Sequence, residues 1–147
     1  MRPVRLLPAA LLIAAAGCAS ATTPLEPARP RFAETVVDTG TLNGAPYRIE
    51  IPAGWNGGLV MYAHGYEMPG TPFEPGQPRH AGFRQAFTSR GFAFAQSWYR
   101  ANGWAVGEGM EDTEALRRHF AARYGRPDST FVTGHSMGGL ITVGTVE

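Results

Sequence analysis

Apolar residues fall in several distinct rhythms along the chain. Thr35-Val36-Val37 and Tyr47-Arg48-Ile49-Glu50-Ile51 are β-rich and partly alternate, as half-buried strands do. Asn43-Gly44 between them is a hairpin turn signal. Leu59-Val60-Met61-Tyr62-Ala63 is a continuous apolar run, expected of a strand buried on both faces, and Phe92 to Ser97 is a second such strand. Thr130-Phe131-Val132-Thr133 is a further, shorter strand that runs straight into a tight glycine turn. Between these runs the rhythm changes. Ala81 to Arg90 predicts a short helix ended by Gly91. Glu108 to Tyr124 predicts a long one, with Thr113, Leu116, Phe120 and Tyr124 on one side at spacings of three and four. Its acidic start and its Arg117, Arg118 and Arg123 end suit the helix dipole, and Gly125 stops it. Strands alternating with helices predict an α/β class with a mostly parallel sheet of about five strands and flanking helices. No internal repeat is visible.

The N-terminal segment has a different character. Arg2 and Arg5 precede eleven uncharged residues, Leu6 to Ala16, too few for a membrane span of about 20 residues. A basic start, a short apolar run and small residues before a cut site describe a secretory signal. Ala15-Ala16-Gly17-Cys18 resembles the bacterial lipobox, with Ala15 where leucine is usual. That resemblance implies residues 1–17 as signal peptide and a lipidated Cys18 as mature N-terminus. It would place an exported chain on a bacterial membrane through its lipid anchor; an ordinary signal with a chance cysteine gives a periplasmic or secreted one. Residues 19–31 carry Pro24, Pro27 and Pro30 and read as an extended tether of up to about 40 Å. Residues 33–147 form the remaining domain.

Charge and composition exclude more than they propose. The 147 residues are 44% hydrophobic, with 13 basic groups, all arginine, against 12 acidic ones. Loss of Arg2 and Arg5 with the signal turns the net charge from +1 to −1, so neither a nucleic-acid face nor a polybasic membrane patch is expected. Cys18 is the only cysteine, which excludes an intramolecular disulfide or a zinc knuckle. No metal cluster or phosphate loop is visible, so no cofactor is expected.

The chemistry concentrates at Gly134-His135-Ser136-Met137-Gly138, a G-x-S-x-G match. Such a match alone has low specificity, but here a β-rich strand leads into it and Gly138-Gly139-Leu140-Ile141 can open a helix after it. A serine at the apex of a cramped strand-to-helix turn presents its hydroxyl outward, and the flanking glycines remove Cβ atoms that would collide. The next N–H, that of Met137, sits at a helix N-terminus where a developing oxyanion is favoured. A second motif, His64-Gly65-Tyr66, follows the apolar strand Leu59–Ala63.

Together these motifs resemble the α/β-hydrolase family over residues ~33–147. The resemblance implies Ser136 as catalytic nucleophile and the Gly134, His135 and Gly138 elbow around it. It implies Met137 and Tyr66 as backbone oxyanion donors, and His64 and Gly65 as supports of the oxyanion loop. It also implies a serine, acid, histidine order along the chain. After Ser136 there is no histidine and no aspartate, only Glu147. By that resemblance the chain holds the first five strands of an eight-stranded fold, truncated after the nucleophile elbow. His135 is held in the elbow, His119 is expected on the polar side of the long helix, and His80 begins the short helix. None has an evident acid partner, so the 147-residue chain itself is expected to be inactive.

The intact parent is expected to hydrolyse carboxylic esters through an acyl-serine. A peptidase or amidase of the same fold, and a non-catalytic lipoprotein using the fold as a binding surface, are the alternatives. Pro69, Pro72, Pro75 and Pro78 recur every third residue, the polyproline II period, and suggest a stiff pocket rim or a simple surface loop. Trp98, Tyr99 and Trp104 are expected to line an apolar substrate pocket or to pack beneath a loop. Glu67, beside the oxyanion turn, disfavours anionic substrates if it points inward.

Overall fold

The computed structural model of the protein describes residues 30–73 and 80–146. The signal segment, Cys18, most of the tether, and Pro75 and Pro78 lie outside the described residues. The elements run β1 (Val36–Leu42), β2 (Ala45–Ile51), β3 (Gly58–Ala63), α1 (Ala81–Thr88), β4 (Ala93–Ser97), α2 (Val106–Tyr124), β5 (Ser129–Gly134) and α3 (Met137–Val146).

The hairpin forms where the turn chemistry puts it. Asn43 and Gly44 have φ of +53° and +86°, the two positive values that let a two-residue loop follow the strand twist. Register then closes from Leu42↔Ala45 to Val36↔Ile51. β2 alternates strictly: Tyr47, Ile49 and Ile51 point to the core. Glu50 on the other face accepts from Arg48 at 3.0 Å and Arg84 of α1 at 2.9 Å. Both β3 and β4 are buried along their whole length, each face against a different partner. Leu59 and Met61 meet Leu116 and Phe120 of α2, whereas Val60 and Tyr62 meet Phe94 and the Phe87 side of α1. Fully burying such side chains contributes about 1.5–3 kcal/mol each.

The predicted stripe of α2 is the one that packs, with Phe120 edge-on to Trp55 at 5.5 Å. Gly125 ends the helix at φ +95°. Glu114 is clamped by Arg117 and Arg118, whose guanidiniums hold its carboxyl down to about 2. His119 corrects the sequence expectation. It is half-buried and tilted against Tyr47 at 5.3 Å, because the apolar stripe of a long helix widens where a flat sheet lies beneath it.

Strand order is β1-β2-β4-β3-β5. β4, β3 and β5 run parallel, with the β1–β2 hairpin added antiparallel to β4. The chain leaves β3 through α1 to reach β4, then crosses over β3 through α2 to reach β5. The loops after β3 and β5 therefore depart to opposite faces, and a crevice opens between their C-terminal ends.

β5 forms one margin of the sheet, and its Ser129, Thr130 and Phe131 are exposed. An uncharged β-prone margin pairs readily with another strand. The purified chain should therefore associate at micromolar concentration in sedimentation velocity. Thr130→Lys should shift it toward monomer with a change in stability below about 0.5 kcal/mol, as expected of an exposed site.

Candidate active site

The crevice is where both sequence motifs arrive. Ala63, the last residue of β3, is paired with Gly134, the last of β5. The turn His64-Gly65-Tyr66 and the corner Gly134–Gly138 therefore start side by side. A Cβ built on Gly65 would stand 3.4 Å from both the Ser136 Cβ and the His135 carbonyl oxygen.

The corner itself is made by backbone crowding. A Cβ on Gly134 would meet the Ala63 oxygen at 2.6 Å, and one on Gly138 would overlap that same carbonyl. Ser136 takes up the bend at φ +55°, one of three non-glycine residues at positive φ among the described residues. Such a value strains an L-residue by about 1–3 kcal/mol. Helix α3 begins at once: the Gly138 N–H donates to the His135 carbonyl at 2.9 Å and the Gly139 N–H to that of Ser136 at 3.0 Å. Met137 is the first helical residue, so the ladder supplies no acceptor for its N–H. Its side chain is buried with Ala63, Tyr99 and Ile141. Ser136 and His135 are exposed at the corner.

His64 is buried, 3% exposed. Its Nδ1 lies 2.7 Å from the Gly65 carbonyl, an acceptor only, so Nδ1 carries the proton. Nε2 is buried without a hydrogen bond. Burial pushes the imidazole below the ordinary histidine range, against the opposing pull of the Gly65 carbonyl, Glu67 and the Trp98 carbonyl.

His135 turns to the other side. Its Nδ1 is 2.7 Å from the Tyr62 hydroxyl, and His80 Nδ1 is 3.2 Å from the same oxygen. Burial pushes Tyr62 up to about 12, so it stays a phenol at neutral pH. A phenol has one proton to give, so Tyr62 can donate to only one of these two ring nitrogens. The two histidines, Tyr62 and Phe83 line a cleft of about 470 Å³ beside the elbow.

A second cleft, of about 230 Å³, lies beyond the His64–Tyr66 turn and includes Glu67, Pro72, Phe73 and Trp98. Trp98 meets Phe73 edge-on at 4.6 Å. The expected aromatic trio does not act as one wall. Tyr99 contributes to this cleft but is only 2% exposed, whereas Trp104 stands 70% exposed and does not line it. Gly103 accounts for the separation: its N–H donates to the Glu67 carbonyl at 2.8 Å, and its φ of +85° turns the chain outward there. The sequence reading missed Tyr62 and Asp112 as parts of this region. Each carried a signal: a polar tip inside an otherwise apolar run, and a carboxylate four residues before Leu116 on the packed side of α2.

Two measurements test this geometry. Gly138→Ala should cost at least about 3 kcal/mol or prevent folding, while Gly139→Ala should be neutral to about 1 kcal/mol stabilising in urea denaturation. A Cβ on Gly139 meets its nearest atom only at 3.9 Å. The second measurement concerns pH. The folded His64 binds its proton more weakly than the unfolded side chain, whose value is 6.5. This group leaves stability unchanged above that pH and lowers it as pH falls through 6.5 toward the folded value. The decline between pH 7.5 and about 5.5 should be shallower in His64→Gln.

No family model matches the sequence, and no curated protein matches it. Among solved structures the chain is similar to a putative hydrolase from Agrobacterium vitis S4, with TM-score 0.51 and 19% identity over 79% of this chain and 45% of that one. It is similar to a highly thermostable carboxyl esterase from Bacillus coagulans, with TM-score 0.55 and 20% identity over 76% and 39%. It is also similar to an α/β serine hydrolase without lid from Xanthomonas campestris, with TM-score 0.56 and 14% identity over 80% and 58%. The chain thus spans between 39% and 58% of the length of these three. The described residues, a five-stranded mostly parallel sheet with flanking helices, have part of the α/β-hydrolase fold.

Proposed function

We propose that the elbow at Ser136 is the nucleophile site of a serine hydrolase whose substrates are carboxylic esters. One juxtaposition carries the reading: an exposed serine at φ +55°, immediately before a helix, with Gly65 of the neighbouring turn so near that a Cβ on it would stand 3.4 Å from that of Ser136. In this mechanism Ser136 Oγ attacks the ester carbonyl carbon. The carbonyl oxygen takes the negative charge and accepts from the Met137 and Tyr66 backbone N–H groups. His64 and Gly65 hold the turn that presents Tyr66. Collapse of the tetrahedral species expels the alcohol and leaves an acyl-serine, which water then hydrolyses.

The serine proton needs a base, and all four histidines have other surroundings. His64 is buried with Nδ1 on the Gly65 carbonyl, and His119 packs against Tyr47. His80 and His135 share the Tyr62 hydroxyl through Nδ1. The acid and base of the parent enzyme then come from outside the described residues, and the 147-residue chain alone turns over little ester. Export, and anchoring through Cys18, belong to the same proposal. An amidase uses the same constellation. The solved structures resembling this chain include a carboxyl esterase and a lipase, which favours the ester.

Incubated with a fluorophosphonate, the purified chain should label slowly, and Ser136→Ala should remove what labelling there is. Rapid Ser136-dependent labelling would overturn its inactivity. In a parent enzyme that supplies acid and base, Ser136→Ala should cut short-chain ester turnover by at least about 10³-fold. Undiminished turnover would remove Ser136 as nucleophile, and a preference for aminoacyl amides over esters would move the substrate class.

A further inference from the structure

Tyr99 and Asp112 lie outside both motifs, yet they are built around the turn that the proposed mechanism uses. Tyr99 has φ +56°, a left-handed value that a bulky aromatic adopts only under constraint. The constraint comes from both sides. Its N–H donates to Ser97 Oγ at 3.1 Å. The following N–H, that of Arg100, donates to Asp112 Oδ2 at 2.8 Å, and the Arg100 guanidinium donates to Asp112 Oδ1 at 2.7 Å. Asp112 is buried in α2, with its side chain 1% exposed, so a carboxylate taken out of water is satisfied by this one residue's backbone and side chain.

The strained backbone aims the Tyr99 ring at His64. The two rings stack at 4.1 Å with 17° between planes. The Tyr99 hydroxyl donates to the His64 carbonyl at 3.2 Å. On the ring's far end, Cζ lies 3.3 Å from where a Cβ of Gly109 would stand, so α2 backs the ring as His64 faces it. The carbonyl that Tyr99 holds belongs to the peptide whose N–H is that of Gly65. The next peptide carries the Tyr66 N–H.

We propose that Asp112, Arg100 and Tyr99 form a positioning device for the His64–Tyr66 turn: Asp112 locks the 99–100 backbone, and Tyr99 clamps the His64 ring and carbonyl so that the Tyr66 N–H faces the elbow. This rests on the assignment of that turn and Ser136 given above. Tyr99 is therefore a positioning residue and not a wall that selects substrate.

The test is nuclear magnetic resonance on the 147-residue chain carrying Thr130→Lys to keep it monomeric, with Tyr99→Leu, Tyr99→Phe and Asp112→Asn compared with that parent. Tyr99→Leu should move the His64 titration up toward the ordinary histidine range and broaden the Gly65 and Tyr66 amide signals by microsecond-to-millisecond exchange. Tyr99→Phe keeps the stack and loses the hydroxyl, so it should broaden those amides while leaving the His64 titration in place. Asp112→Asn should broaden the same amides. The Val60 and Met61 amides of β3 should stay unchanged in all three. If the Gly65, Tyr66 and His64 signals follow the Thr130→Lys parent while only the denaturation midpoint falls, the trio is core packing and the proposal is overturned. Should Tyr99→Leu not fold, the other two variants decide by the same signals. The readout needs no turnover, so undiminished ester turnover by Ser136→Ala in a parent enzyme would refute the hydrolase assignment without touching this result.

Discussion

The approach of three backbone segments at one point governs this molecule. The end of β3, the end of β5 and the first turn of α3 converge at the Ala63 carbonyl, so closely that neither Gly134 nor Gly138 has room for a Cβ. Close-packed interiors do not yield to an extra methyl group at such a point. The corner forms, the bend falls on Ser136, and its side chain is left in solvent. The exposed hydroxyl is thus a consequence of how two parallel strands and a helix are joined.

The same junction sets the surroundings of that hydroxyl. Because β3 and β5 are neighbours whose following loops leave on opposite faces, each side of the elbow receives a different environment. On the α2 side lie His64, Tyr99 and buried Asp112, a tight assembly with short bonds and little exposure. On the α1 side lie Tyr62, His80 and His135 around an open cleft. Rigid support on one side and free space on the other is what a site needs if a ligand is to enter against a fixed backbone.

Much of this architecture was legible in the residue pattern, and the misses have physical causes. The unbroken apolar runs of β3 and β4 and the strict alternation of β2 announced which strands lie inside the sheet. Asn43-Gly44 and Gly125 announced where chain direction changes, because few other residues accept those dihedrals. An aromatic after a parallel strand reads equally as pocket lining or as packing beneath a loop, and nothing local shows the left-handed backbone of Tyr99 or its stacked histidine. His119 was read as a surface residue because helical period alone does not show how wide a stripe the sheet will cover.

Local chemistry, then, determined the elements and the two glycine-containing motifs, since hydrophobic period, turn dihedrals and missing Cβ atoms act within a few residues of one another. The spatial partnerships were decided only by tertiary structure. Gly65 comes beside Ser136 across 71 positions, Tyr99 meets His64 across 35, and Asp112 meets Arg100 across 12, from the start of α2 back to the loop before it. Those contacts depend on strand order, and strand order follows from which faces can be buried together, a property of the whole sheet that no single segment carries.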